Sequence, residues 1–325
     1  MRQYRLIRAL LFVGLLGACS SEEDSSNAAC SATNLTGTCN EGTHCDGGTC
    51  VSDQILMDIG GSLSIHPASF AMAAAGGNAA SLNFAPEDAS HGIALFIYNP
   101  FMLVTKGVAF DPATDSLIKI PIDPSSCTDT AKGPVCTFSA NGLDVTNVTL
   151  GLMGLLVDTR STPTFVTTNT GLVGAGTLST VKASGTGLTG LKAFGVTRSS
   201  MNAFAALTNG AYSAEQMIAK GTLLGVMVNS AGQPVADTTV QLGTCATATP
   251  PSATAPYYPN ATFSGVGSAT TAGGLFFSVA NPEAATPAAV VCANLTASGG
   301  GASWPTVPQM GVGPGSVAVL MYMAQ

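Results

Sequence analysis

Apolar residues in this chain come in short runs separated by Gly, Asn, Asp and Pro. The segments "SLSI" (62–65), "IALFIYNP" (93–100), "SLIKIPI" (116–122), "VTLGLMGLLVD" (148–158) and "TFVTT" (164–168) are brief and rich in β-branched or aromatic residues. That is the signature of strands bounded by turns. Ile118, Ile120 and Ile122 alternate with Lys119 and Pro121. The alternation predicts a strand with one buried face, and the proline predicts a sheet edge, where its missing N–H breaks no ladder. The segment "AAAGGNAA" (73–80) fits a short helix or a loop. One stretch changes period: Met201, Phe204, Ala205 and Leu207 share a helical face. Asn209-Gly210 closes that helix. Ser213 with Gln216 reads as a capping box and Gly221 as the end of a second helix. Two short helices packed as a connector between two β regions are therefore expected.

The N-terminus follows another logic. Arg2, Arg5 and Arg8 precede an eight-residue apolar run, "ALLFVGLL" (9–16). A bilayer span takes about 20 residues, so this run is too short for one; charge, length and small residues instead follow the layout of a secretory signal. It ends in Leu16-Gly17-Ala18-Cys19. That run resembles the lipobox of bacterial lipoproteins, in which the cysteine carries a diacylglyceryl group and becomes the first residue after cleavage. The resemblance implies lipidation at Cys19 and membrane attachment through acyl chains, each buried CH₂ contributing about 0.8 kcal/mol. Ser20–Asn27, "SSEEDSSN", is polar and acidic with nothing to bury, the composition of a disordered tether. By the sorting rule of enterobacterial lipoproteins, Ser20 after the lipidated cysteine implies the outer membrane.

Setting Cys19 aside leaves eight of nine cysteines, an even number in a compartment that permits disulfides. Cys30, Cys39, Cys45 and Cys50 crowd into one polar stretch with gaps of eight, five and four residues. It has too little apolar surface for a core and needs covalent staples. Sequence alone leaves three pairings open. The stretch resembles a truncated EGF-like or Dickkopf-like knot, which implies Cys30–Cys45 and Cys39–Cys50. His44 beside Cys45 raises a zinc reading, but structural zinc sites favour C-x₂₋₄-C pairs, and only the last gap approaches that spacing. Cys127 with Cys136, and Cys245 with Cys292, read as stitches across strands. Loop entropy assigns them roughly 2.7 and roughly 4 kcal/mol.

Beyond Gly221, "TLLGVMVNSAGQPVADTTVQLG" places two β runs around the turn Asn229-Ser230-Ala231-Gly232, and "TTAGGLFFSVANPE" (270–283) follows. Gly225, Val228, Gly232, Gln233-Pro234-Val235, Val240, Thr271, Gly274 and Phe276 resemble the carboxypeptidase regulatory-like family. Asn229 stands where Asp is common, and Asp237-Thr238 where Gly-Ala is usual. The resemblance implies a transthyretin-like β-sandwich acting as an accessory module and not a catalyst.

Composition narrows the partners. Only 9% of residues are charged, against about 25% in ordinary soluble proteins. Without the three leader arginines, 8 basic residues face 18 acidic ones, a balance of −10. The cations form no cluster, which argues against nucleic acid as a partner. The three histidines, His44, His66 and His91, lack metal-type spacing, and no nucleophile elbow, P-loop or dinucleotide fingerprint occurs. Asp111 and Asp115 in "FDPATDS" are too sparse for a calcium loop and read as an Asp-Pro turn. Trp304 and the pair Tyr257-Tyr258 are the candidate ligand-binding residues, as a stacking surface for carbohydrate.

The expected protein is mainly β: two Ig-like or transthyretin-like β-sandwich domains joined by short helices and preceded by a small disulfide knot. The expected divisions are a lipoprotein signal (1–18), a tether (19–29), the knot (30–50), a first sandwich (54–198), a helical connector (199–220) and a second sandwich (221–325). The expected function is lipid-anchored binding or scaffolding at the bacterial cell envelope, without an enzyme's site, a metal or a cofactor, and with an envelope protein or polysaccharide as partner. A carbohydrate-binding surface lipoprotein is one rival and requires Trp304 or the tyrosine pair exposed on one face. A secreted hydrolase is the other and requires His66 or His91 joined to Asp and Ser.

Overall fold

A computed structural model describes residues 43–46, 49–52, 54–244, 255–280, 291–305 and 307–325. The chain divides into two units, Met1–Gln54 and Ile55–Gln325. In the first, β1 (Thr43–Asp46) and β2 (Thr49–Ser52) form an antiparallel hairpin with Cys45 opposite Cys50.

The second unit begins with β3 (Leu56–Ile65), α1 (Pro67–Ala75), β4 (Ile93–Tyr98), α2 (Pro100–Lys106) and α3 (Pro112–Asp115). It continues through β5 (Ile118–Pro121), β6 (Cys127–Thr130), β7 (Gly133–Asp144), β8 (Gly151–Asp158), β9 (Thr168–Gly174), α4 (Ala175–Ser184) and β10 (Leu188–Gly195). Two helices follow, α5 (Arg198–Leu207) and α6 (Ala214–Lys220), then β11 (Thr222–Val228) and β12 (Thr238–Thr244). The last strands are β13 (Tyr258–Pro259), β14 (Val266–Gly267), β15 (Leu275–Val279), β16 (Val291–Gly299), β17 (Val307–Val312) and β18 (Val317–Met323). The protein is mainly β, as the run lengths and turn residues predict.

One seven-stranded sheet, in the order β15-β11-β18-β9-β8-β4-β5, is the spine of the unit. Its strands β4 and β11 are covered on both faces. Leu95 and Ile97 of β4 and Leu152 and Leu156 of β8 pack against Leu63, Phe138 and Leu191 of a four-stranded sheet, β10-β3-β7-β6. The alternate residues Phe96, Tyr98 and Leu155 face the other way, onto Leu103 of α2 and Phe110 after it. At the other end, Leu223, Met227, Ala318 and Tyr322 meet Val240, Leu242 and Leu295 of a three-stranded sheet, β12-β16-β17. Their alternates Leu224, Val226, Val317 and Val319 meet Met201, Phe204 and Met217 of the helical layer. Every residue of β4 ("IALFIY") and of β11 ("TLLGVMV") is buried. A strand covered on both faces has no polar side to show, which is why these runs are apolar at successive positions. Gly225 in β11 is part of the fit: a Cβ there would stand 2.1 Å from the Phe276 ring.

The spine corrects the expected division into a sandwich at 54–198 and another at 221–325. Strands from both ranges belong to one sheet, joined where β18 runs parallel to β9 (Val317 opposite Thr168, Ala318 opposite Asn169, Val319 opposite Thr170). There are two sandwich-like cores, but they share their central layer. Periodicity marks strands and their buried faces, whereas partnership between distant strands is settled by hydrogen bonds that leave no local pattern. The Gly232 turn forms as expected, with φ of 76° and a bond from its N–H to the Asn229 carbonyl at 2.8 Å. Yet only Val228 and Pro234 bridge across it, and β12 leaves for the three-stranded sheet. The predicted edge strand is β5, which ends the spine with Lys119 and Pro121 exposed and Ile120 buried.

The joint is polar inside. Asn169, 3% exposed, accepts from the Tyr98 hydroxyl at 2.7 Å and donates to Ser316 Oγ at 2.8 Å. Burial raises the Tyr98 phenol well above its ordinary range, so it is held as a donor. The Thr168 and Thr170 hydroxyls accept from the N–H groups of Val196 and Phe194, both at 3.2 Å, tying the end of β10 and the residue after it to the spine. Replacing Asn169 by Ala strands the Tyr98 hydroxyl and Ser316 in the interior, and is expected to cost about 2–3 kcal/mol of unfolding free energy in urea titrations. Adding Tyr98→Phe to that variant should then cost less than Tyr98→Phe does alone, a coupling that a double-mutant cycle reads directly.

Candidate functional site

Four X-Pro pairs share one local device. At Asn99-Pro100, Asp111-Pro112 and Asp123-Pro124, the first residue caps a helical turn and its side chain accepts from the backbone N–H two residues on, while proline takes the first helical position. Proline suits that position because its missing N–H would be unpaired there anyway. His66-Pro67 is the fourth: His66 caps α1, and its Nδ1 accepts from the Ala68 N–H at 3.3 Å. His66 is 1% exposed, and its Nε2 is buried without a hydrogen-bond partner. Burial lowers its pKa to about 3. Beside it, Ser69 Oγ and Ser200 Oγ lie 2.7 Å apart, and Thr197 caps α5 by accepting from the Ser200 N–H. His66 is thus a buried helix cap, and no carboxylate enters its bonding.

His91 is exposed, with Nδ1 2.8 Å from Asp88 Oδ2. The hydrogen bond from His91 holds the Asp88 carboxyl low, and the carboxylate in turn raises the imidazole. Neither histidine is placed as the hydrolase reading requires. Asp111 and Asp115 close a loop in which the Asp115 carboxylate takes Lys106 and the Asp111 N–H. The Asp-Pro turn expected there is the cap of α3. Among the described residues, no group of three His, Cys, Asp or Glu side chains could hold a metal ion.

The aromatic platform is not assembled. Successive residues on an extended backbone point to opposite sides, and Tyr257 and Tyr258 do so. Tyr257 stacks on Phe277 at 4.8 Å between ring centres, on the helical side. Tyr258 is 6% exposed in the other core, its hydroxyl 2.7 Å from the Val240 N–H and 3.1 Å from the Val240 carbonyl. Trp304 is half-buried against Tyr322, and its indole N–H donates to the Gly299 carbonyl at 3.0 Å. The assignment of Tyr258 to a ligand surface is therefore replaced by a structural role. In a protein with few charges, buried aromatics serve as core, and the Tyr pair belongs there.

Cys127 and Cys136 form the expected disulfide, across directly opposed positions of β6 and β7. Cys50 is also disulfide-bonded. Cys19, Cys30, Cys39 and Cys245 lie outside the described residues, and with them the pairing inferred for the knot; Cys45 and Cys292 are placed by backbone only, on β1 and β16. No helix among the described residues is long and apolar enough to cross a membrane. An open depression of ≈ 440 Å³ lies between α4 and the segments leading into β3 and β8, lined by Ile55, Val148, Ala175 and Lys182 among others. Lys182 is already engaged there, its Nζ donating to the carbonyls of Thr146 and Val148 at 2.9 and 3.2 Å.

Sequence reasoning missed one buried ion pair. The Asp158 side chain is fully buried, and Arg160 binds it through Nε at 2.9 Å and Nη2 at 2.6 Å. The N–H groups of Thr164 and Phe165 add 2.9 and 3.0 Å bonds. Burial by itself would raise this carboxyl, but the Arg160 and backbone donors outweigh it and hold the pKa low. The pair pins the loop between β8 and β9. Asp158→Ala leaves a guanidinium without its partner, and about 3 kcal/mol of destabilisation is expected in thermal or urea unfolding.

Neither a family model nor a curated protein matches this chain. Among solved structures, it is similar to one titled "Structure of the Streptococcal ancillary pilin", with 9% identity and a TM-score of 0.23 over 82% of this chain and 69% of that one. It is also similar to "The Bacillus anthracis TIE protein", with 11% identity and a TM-score of 0.18, over 83% of this chain and 34% of that one.

Proposed function

We propose that this chain is a lipid-anchored protein of the bacterial cell envelope that binds or scaffolds and carries no catalytic site of its own. The observation behind this reading is the N-terminal series: three arginines, the apolar "ALLFVGLL", Leu16-Gly17-Ala18-Cys19, and the polar stretch Ser20–Asn27. Each part answers a physical need of a lipoprotein. Cationic and apolar segments engage the membrane and export machinery, small residues admit the peptidase, and the thiol is the acceptor for lipid. The acidic tether spaces the folded unit from the lipid surface. The non-catalytic part rests on His66, spent as a buried cap, and His91, exposed on an aspartate. The outer membrane is the location that Ser20 favours, and an envelope protein or polysaccharide is the partner class.

Cys19→Ala tests the anchor. In cells expressing the full chain, the wild type should fractionate with membranes and incorporate labelled palmitate. The variant should lose both properties and appear in soluble fractions. An unlabelled wild type, or a variant that pellets unchanged with membranes, rejects the reading.

A further inference from the structure

We infer that His66 is an acid-sensitive latch that holds α1 against the body of the protein, and that protonation of its Nδ1 opens the helix before the spine unfolds. The argument begins with the other X-Pro caps. Asn99, Asp111 and Asp123 present oxygen acceptors to their helical turns. An amide does not titrate, and a carboxylate keeps its acceptor down to about pH 4. His66 does the same work with a ring nitrogen. Its acceptor is a lone pair that the first proton removes, and the cation so formed would point an N–H at the Ala68 N–H. It would also place positive charge at a helix N-terminus, where the peptide dipoles repel it. The ring packs in a T-shaped arrangement with Phe194 at 5.9 Å, and Nε2 is buried without a hydrogen-bond partner.

No neighbouring charge rescues the cation. α1 ("PASFAMAAA") carries no ionisable residue. Asp58 on β3, Lys192 on β10, Arg198 on α5 and Lys132 before β7 are all exposed. Burial is the sole cause of the ring's lowered pKa. The folded form therefore excludes the proton, and the opened form takes it up below the ordinary imidazole value of about 6.5. The sign follows: opening is favoured increasingly as pH falls from about 6.5 towards 3, by up to tenfold per pH unit. What α1 covers gives the opening a consequence. Ala68 and Met72 belong to the core under α5 and α6, whereas Phe70 and Ala73 belong to the core under the four-stranded sheet. The helix seals the seam between two cores, and its release exposes apolar surface at both.

Amide hydrogen exchange on the full chain, followed from pH 7.5 to 4.5, tests the latch. After correction for intrinsic rates, protection of residues 70–77 should fall about 50-fold between pH 6.5 and 4.5, while β4, β8 and β11 keep theirs. In His66→Asn, which copies the cap at Asn99, protection of α1 should not change with pH over that range. The latch is rejected if the two proteins lose α1 protection equally, or if spine and helix lose it together in the wild type. Nitrogen NMR of the wild-type His66 ring gives a test that needs no variant. A doubly protonated ring in a still-protected α1 overturns the inference, and an Nδ1 without a proton at pH 7.5 is the expected result.

Discussion

The fold depends on how three consecutive buried residues, Thr168, Asn169 and Thr170, satisfy hydrogen bonds in two directions. They lie where β9 meets β18, the parallel joint that makes one sheet of strands from both halves of the chain. Their backbone serves that ladder and the antiparallel one with β8. Their side chains do the rest: two threonines take N–H groups at the end of β10, and the asparagine links Tyr98 to Ser316. A buried donor left without an acceptor costs about 1–3 kcal/mol, so this polar set acts as a specification of register as well as a source of stability.

From that joint the layers follow. Strands covered on both faces read as near-continuous apolar runs, and β4 and β11 do so. The covering layers differ in kind: sheet on one half, helices beside it, and a second sheet on the far side of the other half. Because the layers interlock across the spine, the helices at 198–220 are less a linker between independent bodies than a lid on one shared sheet. Three residues with chemistry to offer serve the structure: His66 as a cap, Tyr258 as a core hydrogen-bonding group, and Asp158 as an anchor for a loop.

Several local features were legible from the residues. The alternation of Ile118, Ile120 and Ile122 with Pro121 marked an edge strand, and β5 ends the spine. Ser213 and Gln216 form the predicted capping box, and Gly232 takes the positive φ of its turn. Other elements escaped for physical reasons. α2 ("PFMLVTK") is apolar nearly throughout and has a strand-like run; its signal was the Asn99-Pro100 cap. α4 ("AGTLSTVKAS") buries only Leu178 and so shows no stripe. His66 stands in no metal-type spacing, and the adjacent Pro67 carries the clue that it caps a helix.

By itself, the sequence determined strands and turns, the edge proline, the helix caps and the layout of the N-terminus, because each rests on neighbours within a few residues. Only the tertiary structure decided that β9 pairs with β18, that Tyr257 and Tyr258 enter different cores, and that the His66 ring is sealed from water. Those outcomes depend on hydrogen bonds and burial between segments far apart in the chain. Contacts at such separations leave no period to read, since the same alternation suits any partner strand of matching face.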